Sequence, residues 1–410
     1  MSNSLVTIDM VTREALRIAH EKCQFIGTTD RQYDDSFAKT GAKNGTALRV
    51  RKPNQYVRTT GSRVMDVQDQ AEATGTVTSA VQDHVDMRFN SAELSLSIDE
   101  LSRRYIEPAV AVLVSGIEAD YLAFATKATY NVAGAAGTAI TSLSTPGAAR
   151  AKLNQYLAPK DNQRAIQLDS VTMGGLVNGV AAYFNPSGAI EKQFREGLVA
   201  RTSMADYYEN ERVWTLTNSD DVTAASNASA AVTDGGSTIK IYTDLAVSKQ
   251  IVGAVFTIAG VYACHPETKA AYPHLQQFTI TVADPGTSGT TVSPAFVLTG
   301  ARKNVVSSTG GTLATTDFDS KTLTFVGAAS TSYPMPLMYH KEAFQFVTAD
   351  LPLMDDAHKC VRRMQDGLSM RVWQASDIRN DELLMRIDIL YGMAALRPEW
   401  ACRMVGAAAA

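Results

Sequence analysis

Near the start of the chain, apolar Val11, Ala15, Ile18 and Ala19 recur at helical spacing, with Thr12, Arg13, Glu14 and Arg17 between them. The pattern predicts a short amphipathic helix within residues 1–25 whose apolar face is too thin to hold it in water alone. It fits two dispositions equally, docking on another chain or packing on its own domain. Residues 26–45 are polar. Leu48-Arg49-Val50-Arg51 then alternates, Lys52-Pro53-Asn54-Gln55 breaks the alternation, and Thr76 to Val81 resumes it weakly. The stretch 44–85 has too few apolar residues for a core and reads as extended hairpin arms that gain stability on a neighbour.

From Met87 to Ser97 the alternation strengthens: Phe89, Ser91, Glu93, Ser95 and Ser97 share one face, Asn90, Ala92, Leu94, Leu96 and Ile98 the other. Ser97-Ile98-Asp99-Glu100 forms a capping box. Ile98, Leu101, Tyr105, Val112, Ile117, Tyr121 and Phe124 predict a helix of about 30 residues, well above the usual 11–12 or so. Pro108 interrupts it near Arg104, and Gly134 and Gly137 end it. Thr145-Pro146 starts a further helix with Thr as cap. Ala165 to Leu168 is a short strand. Ser170 caps a helix with Met173, Leu176, Val177 and Val180 inward, and Asn185-Pro186 opens another with Ile190, Phe194 and Leu198.

Composition shifts at Asn218. Past an Ala/Ser/Thr/Asp/Gly stretch come strand patterns at Thr238–Tyr242, Val255–Val261, Phe278–Val282, Ala295–Leu298 and Thr322–Val326. Turn clusters such as Asp284-Pro285-Gly286 and Ser308-Thr309-Gly310-Gly311 separate them. This predicts a small all-β barrel or sandwich over 219–332, inserted between stretches of α/β style. Strands follow at Phe344–Val347, Leu368–Trp373 and Leu384–Tyr391, and Arg397-Pro398-Glu399-Trp400 closes the pattern.

The 410 residues are 45% hydrophobic, enough for a sizeable core. No uninterrupted apolar run reaches about 18 residues, and Met1 to Leu5 lacks a basic-then-apolar pattern, so neither a membrane helix nor a secretory signal is expected. Cys23, Cys264, Cys360 and Cys402 are widely spaced, which points to a reducing compartment rather than a disulfide framework. A net charge of −4 argues against a dedicated nucleic-acid binder, while leaving room for a protein that encloses nucleic acid without gripping it.

Catalytic chemistry finds no purchase. Gly134-Ala135-Ala136-Gly137 lacks the lysine of a phosphate loop, and no G-x-S-x-G or H-E-x-x-H occurs. Cys264-His265 with His274, and His358 with Cys360, lack zinc-ligand pairing. They read as ordinary loop or surface residues, and His20 and His84 as solvated. The adjacent carboxylates Asp34-Asp35 and Asp355-Asp356 point to opposite faces of a strand. No catalytic, cofactor or metal site is expected. Lys43, Arg49, Arg51, Lys52, Arg58 and Arg63 make the 43–63 arm basic. Without an aromatic stacking platform they read as contacts to acidic residues of a neighbouring subunit rather than to nucleic acid.

Four places together resemble one family. They are Gly45-Thr46-Ala47-Leu48-Arg49-Val50-Arg51-Lys52-Pro53; Phe184-Asn185-Pro186 through Arg195-Glu196-Gly197-Leu198-Val199-Ala200-Arg201 and Asp206-Tyr207-Tyr208-Glu209; Phe256 to Val261 with His265-Pro266-Glu267-Thr268-Lys269; and Arg386 to Gly392 with Arg397-Pro398-Glu399. In this order they resemble the P22-type major capsid proteins of tailed bacteriophages. The resemblance implies an α+β, HK97-like fold: an N-terminal arm at 1–40, an extended loop at 41–86, and a peripheral domain with a spine helix at 87–145. An axial domain begins at 146–218, the inserted β domain spans 219–332, and 333–410 is the closing part.

The resemblance further implies a non-enzymatic protein that self-assembles as hexamers and pentamers into an icosahedral shell around double-stranded DNA, without sequence-specific contacts or a membrane. A scaffolding protein and a portal protein are the implied partners, and the virion, assembled in host cytoplasm, the implied location. Asp9, Glu14 and Glu21 are the candidate scaffold contacts; Arg49, Arg51, Lys52, Arg58 and Arg63 are the candidate subunit contacts. Neither Lys–Asn cross-linking nor a cleaved scaffold segment is expected. The rival readings are an encapsulin-like compartment, a carbohydrate-binding adhesin built on 219–332, and an enzyme sensitive to His265→Ala.

Overall fold

The computed structural model describes residues 8–31, 47–59, 61, 67, 74–90, 102–181, 205–220, 227–229, 232–242, 250–284, 289–351, 353, 359–365, 368–377 and 382–408. Contacts divide the chain into two compact units: residues 1–50, 74–122 and 344–396, and residues 51–73, 123–343 and 397–410.

The first unit is organised on strand Glu382–Ala395, whose apolar alternation (Leu383, Met385, Ile387, Ile389, Tyr391) faces a core. On one side it pairs with Thr74–Asn90, in the register Ile387 to Val85 and Leu383 to Phe89. On the other it pairs first with Leu368–Asp377 and then, further along, with Phe344–Ala349. Ala47–Arg51 and Lys359–Gln365 form the two edges. Residues 74–85, expected as part of a free arm, therefore belong to this sheet. The reason is the alternation of Val81, Val85, Met87 and Phe89, which meets the apolar face of a strand some 300 residues later.

Helix Ile8–Lys22 lies on strands Lys359–Gln365 and Leu368–Asp377, burying Val11, Ala15, Leu16, Ile18 and Ala19. Of the two dispositions its pattern allowed, it takes packing on its own domain. A π-helical turn at Ser102–Ile106 leads into helix Glu107–Ala128. Pro108, which lacks an N–H, sits in the first turn of that helix, where no donor is required. The expected capping box at 97–100 lies outside the described residues. By length and composition Arg104–Ala128 could span a bilayer, contrary to the expectation that no segment would. Its Glu118, however, is buried and accepts N–H bonds from Phe25 (2.8 Å) and Ile26 (3.4 Å). An aromatic row completes this core: Phe25 to Tyr121 at 4.7 Å, Tyr121 to Phe346 at 5.2 Å, Phe346 to Tyr391 at 5.5 Å.

In the second unit a five-stranded sheet runs in the order Val132–Ala133, Ala401–Met404, Leu337–His340, Arg164–Leu168, Asp206–Glu209. Helix Ser144–Gln155 packs on it. The chain enters that helix with Leu143 at the cap position, so Thr145-Pro146 lies inside the first turn rather than starting it. For helix Ser170–Ala181 the capping carboxylate is Asp169, which accepts from the Thr172 N–H at 3.0 Å; the expected Ser170 is one residue too late. The motif residues 184–201 lie outside the described residues, while Asp206 to Glu209 form the edge strand of the sheet.

The rest of this unit is a closed barrel. Strands Ala271–Val282, Thr290–Phe296, Gly236–Tyr242, Asn227–Ser229, Lys321–Phe325 and Val255–Cys264 pair in that order, and Val255–Cys264 returns to pair with Ala271–Val282. Between barrel and sandwich, the pairing decides for a barrel. Its interior stacks Phe278 between Phe256 (5.9 Å) and Phe296 (4.9 Å), with Phe318 edge-on to Phe296. Val255, Ile258, Ile280, Val292 and Leu323 fill the remainder.

Candidate assembly surfaces

The basic residues predicted as subunit contacts do not gather at one place. Arg49 and Arg51 lie on the edge strand Ala47–Arg51, whose pairing partner is Thr74–Asn90. A strand edge with charges on it resists indiscriminate pairing with other chains. Lys52 is half-buried, Arg58 is exposed, and Arg63 lies outside the described residues. Residues 52–59 have no regular structure, and Tyr56 (57% exposed) and Val57 stand in solvent beside Arg58.

Two of the acidic scaffold candidates on helix Ile8–Lys22, Asp9 and Glu14, already have cations within the molecule. Arg363 donates to Asp9 at 2.6 Å, and Arg13 lies 3.3 Å from the same carboxylate. Arg17 grips both oxygens of Glu14, at 3.0 and 2.6 Å. Glu21 is on the same helix. Such solvent-facing pairs are worth little each, so a partner's cation can replace one at small cost.

The charges that matter most to the fold are ones the sequence pattern did not single out. Arg371 and Asp388 pair while buried on neighbouring strands, and Gln82 donates to the same carboxylate at 3.0 Å. Arg403 is wholly buried and donates to three acceptors: Gly253 O (2.5 Å), Lys127 O (3.0 Å) and Thr279 Oγ1 (2.9 Å). Burial lowers its pKa to about 9, so the guanidinium keeps its charge at neutral pH. These bonds fasten the end of the long helix and two barrel segments to the strand that carries Arg403. Gln277 adds a further tie, since its side chain both accepts from the Val132 N–H (2.9 Å) and donates to Val132 O (3.1 Å). The sequence shows Arg403 and Asp388, the latter with Arg386 nearby, as charges among apolar residues, without showing what they meet.

The histidines have structural work. His265 Nδ1 accepts N–H bonds from Glu267 (3.1 Å) and Thr268 (3.2 Å), closing a turn. His340 Nε2 is 3.0 Å from Asp161. His84 faces Asp86 at 3.0 Å. His274 meets Lys152 rather than a second metal ligand. Among the described residues no group of three or more His, Cys, Asp and Glu side chains converges on one point. His358, Asp34-Asp35 and Asp355-Asp356 lie outside them.

Residues 214–406, which take in the barrel and the closing strands, match the family model described as P22 coat protein, gene protein 5. Over that stretch the chain is similar to coat proteins of the P22 type. The match supports the role of a major capsid protein of tailed phages, and the described helices and sheets are of the α+β class. Solved structures similar to this chain over most of its length include a protein of Mycobacterium phage Che8, at 8% identity and TM-score 0.48, covering 93% of this chain and 90% of that one. The mature capsid of bacteriophage PhiM1 aligns at 11% identity and TM-score 0.42, covering 93% and 86%. The capsid of the Myoviridae phage XM1 aligns at 8% identity and TM-score 0.40, covering 93% and 90%. No curated protein matches this chain.

Proposed function

We propose that copies of this chain close into an icosahedral shell of hexamers and pentamers around a double-stranded DNA genome, in the virion, after assembly in the host cytoplasm. The observation that carries the reading is the coat-protein match over 214–406, a stretch that folds here as the barrel, two strands of the five-stranded sheet and the closing strands. In this reading residues 1–40 are the N-terminal arm, 41–86 the extended loop and 87–145 the peripheral domain. Residues 146–218 and 333–410 build the axial and closing parts, and 219–332 is the insertion.

Contacts between copies then fall to a smaller part of the arm than the sequence pattern suggests. Helix Ile8–Lys22 and strand Thr74–Asn90 are satisfied inside one molecule. The exposed stretch 52–59, with Tyr56, Val57 and Arg58, is the part left to meet a neighbour, and the charged edge strand beside it discourages mispairing. A ring needs one patch to meet a different patch on the next copy, and an outstretched segment provides that asymmetry. A scaffolding protein engages Asp9 and Glu14 by exchanging their internal cations, and Glu21 on the same helix; a portal protein replaces one pentamer. A mildly acidic chain leaves the packaged DNA free to slide.

The test is expression alone and beside a scaffolding protein, followed by negative-stain electron microscopy and sedimentation. Uniform closed particles support the reading. A monomer that persists at high concentration under both conditions overturns it, and closed particles filled with protein cargo instead of DNA favour an encapsulin-like compartment.

A further inference from the structure

Helix Ser144–Gln155 and barrel strand Ala271–Val282 meet along a seam made almost wholly of polar side chains. Tyr272, His274 and Gln276, alternate residues of the strand, reach the helix and the residue that follows it. Tyr272 Oη donates to Gln155 O at 2.9 Å, and Tyr156 Oη donates to Gln276 Oε1 at 3.0 Å. Between them His274 Nε2 lies 3.0 Å from Gln155 Oε1 and 3.3 Å from Lys152 Nζ, while Nδ1 lies 3.3 Å from Leu275 O. We propose that this seam is an acid-sensitive latch between the inserted barrel and the body of its unit, closed while His274 is neutral and loosened when His274 takes up a proton beside Lys152.

The argument is one of donors and charge. With hydrogen on Nδ1 the ring donates to Leu275 O and accepts from Lys152; with hydrogen on Nε2 it donates to Gln155 Oε1. Either neutral form fits its surroundings. A second proton removes the acceptor and sets an imidazolium against an ammonium at 3.3 Å.

The doubly protonated ring can donate to Leu275 O and Gln155 Oε1, which offsets part of that cost, and the remaining neighbours add no negative charge. Tyr272 stacks on the ring at 5.4 Å and is a neutral phenol. Cys402, on the sheet strand near Lys152, is a thiol pushed up to about 12 by burial, so it is uncharged. Tyr156 and Tyr130 are held neutral by burial. Glu399 bears on these two tyrosines rather than on His274. Among the described residues, neither His274 nor Lys152 has a carboxylate partner. His84 and His340 differ, each facing an aspartate.

Burial first, and Lys152 second, lower the pKa of His274 from its ordinary value. The undocked state therefore binds the proton more readily than the docked one. Docking is at full strength above about pH 6.5, weakens as the pH falls below it, and loses no more once the pH passes the lowered value.

Hydrogen exchange on the full-length, unassembled chain tests this without reference to shells. Protection factors, corrected for the intrinsic pH dependence of exchange, are compared at pH 7.5 and 5.0 for segments 144–156 and 271–282. The expected result is a fall of about tenfold per unit by which the pKa is depressed, confined to the seam and absent from strand Thr290–Phe296. His274→Gln stays neutral at both pH values and abolishes the fall. Lys152→Met removes the opposing cation and reduces it, which keeps the proposal open to refutation should His274→Gln not fold. Equal protection of the wild-type seam at both pH values overturns the latch, as does an undiminished fall in either variant.

Discussion

Arg371 and Asp388 face each other across paired strands of the first unit, with Nε 3.0 Å from Oδ1 and the second guanidinium nitrogen on Oδ2, and almost no solvent reaches either. Gln82 and Arg386 close around the same carboxylate. Removing one partner leaves a buried charge unmatched. Asp388→Asn is expected to destabilise the chain by about 3–5 kcal/mol, while Arg371→Met combined with Asp388→Leu costs clearly less than the sum of the single changes. Urea midpoints of Asp388→Asn, the double variant and its two single variants check this.

Arg403→Met keeps the volume and strips three hydrogen bonds from Gly253, Lys127 and Thr279. A loss of about 3 kcal/mol is expected, with the two buried carbonyls left without that donor. The barrel's own core, built on Phe256, Phe278 and Phe296, does not involve Arg403. Exchange measurements on Arg403→Met should therefore show loss of protection at Lys127, Gly253 and Thr279 well before loss inside the barrel.

Gly253, whose carbonyl takes one of those bonds, has φ +97°, and a Cβ there would come within 2.8 Å of the Trp214 ring. Gly253→Ala meets both a backbone penalty and a clash. A destabilisation of about 2 kcal/mol or more is expected in thermal unfolding, with a shifted tryptophan signal as Trp214 moves.

Glu118 reaches from the long helix to the backbone N–H groups of Phe25 and Ile26. Glu118→Gln keeps an acceptor and should cost about 1 kcal/mol; Glu118→Ala removes it and should cost about twice that or more. Limited proteolysis checks the mechanism, since the alanine variant should open first around residues 23–28.

Arg58→Glu tests the exposed stretch 52–59. The side chain stands in solvent, so the unassembled chain should keep its stability to within about 0.5 kcal/mol. Particle yield should fall sharply, and the effect should weaken at high salt. Equal yields for wild type and variant would remove Arg58 from the contact.

The barrel was the most legible part of the chain. Its strands are runs of Val, Ile, Phe and Thr bounded by Gly, Pro and Asp turns, and Val255–Cys264 and Lys321–Phe325 fall within a few residues of where alternation placed them. Strand Lys359–Gln365 escaped notice because Lys359, Arg362 and Arg363 break its apolar pattern, which an edge strand tolerates. Val132–Ala133 and Ala401–Met404 were too short to show a period. The resting place of the N-terminal helix was undecidable because its binding surface, Lys359 to Asp377, is distant in sequence. Arg403 was illegible for the same reason, since its acceptors come from three separate stretches.

The first unit draws its strands from both halves of the chain, and Thr74–Asn90, paired early only with the short strand Ala47–Arg51, meets its long partner in Glu382–Ala395. During synthesis at roughly 5–20 residues per second, the earlier strand waits on the order of fifteen seconds to a minute with its apolar face unmatched. A nascent chain in that condition invites aggregation and calls for a chaperone that shields it until the ribosome has nearly finished. Synthesis time, and not only encounter between finished copies, then enters the supply of folded subunits.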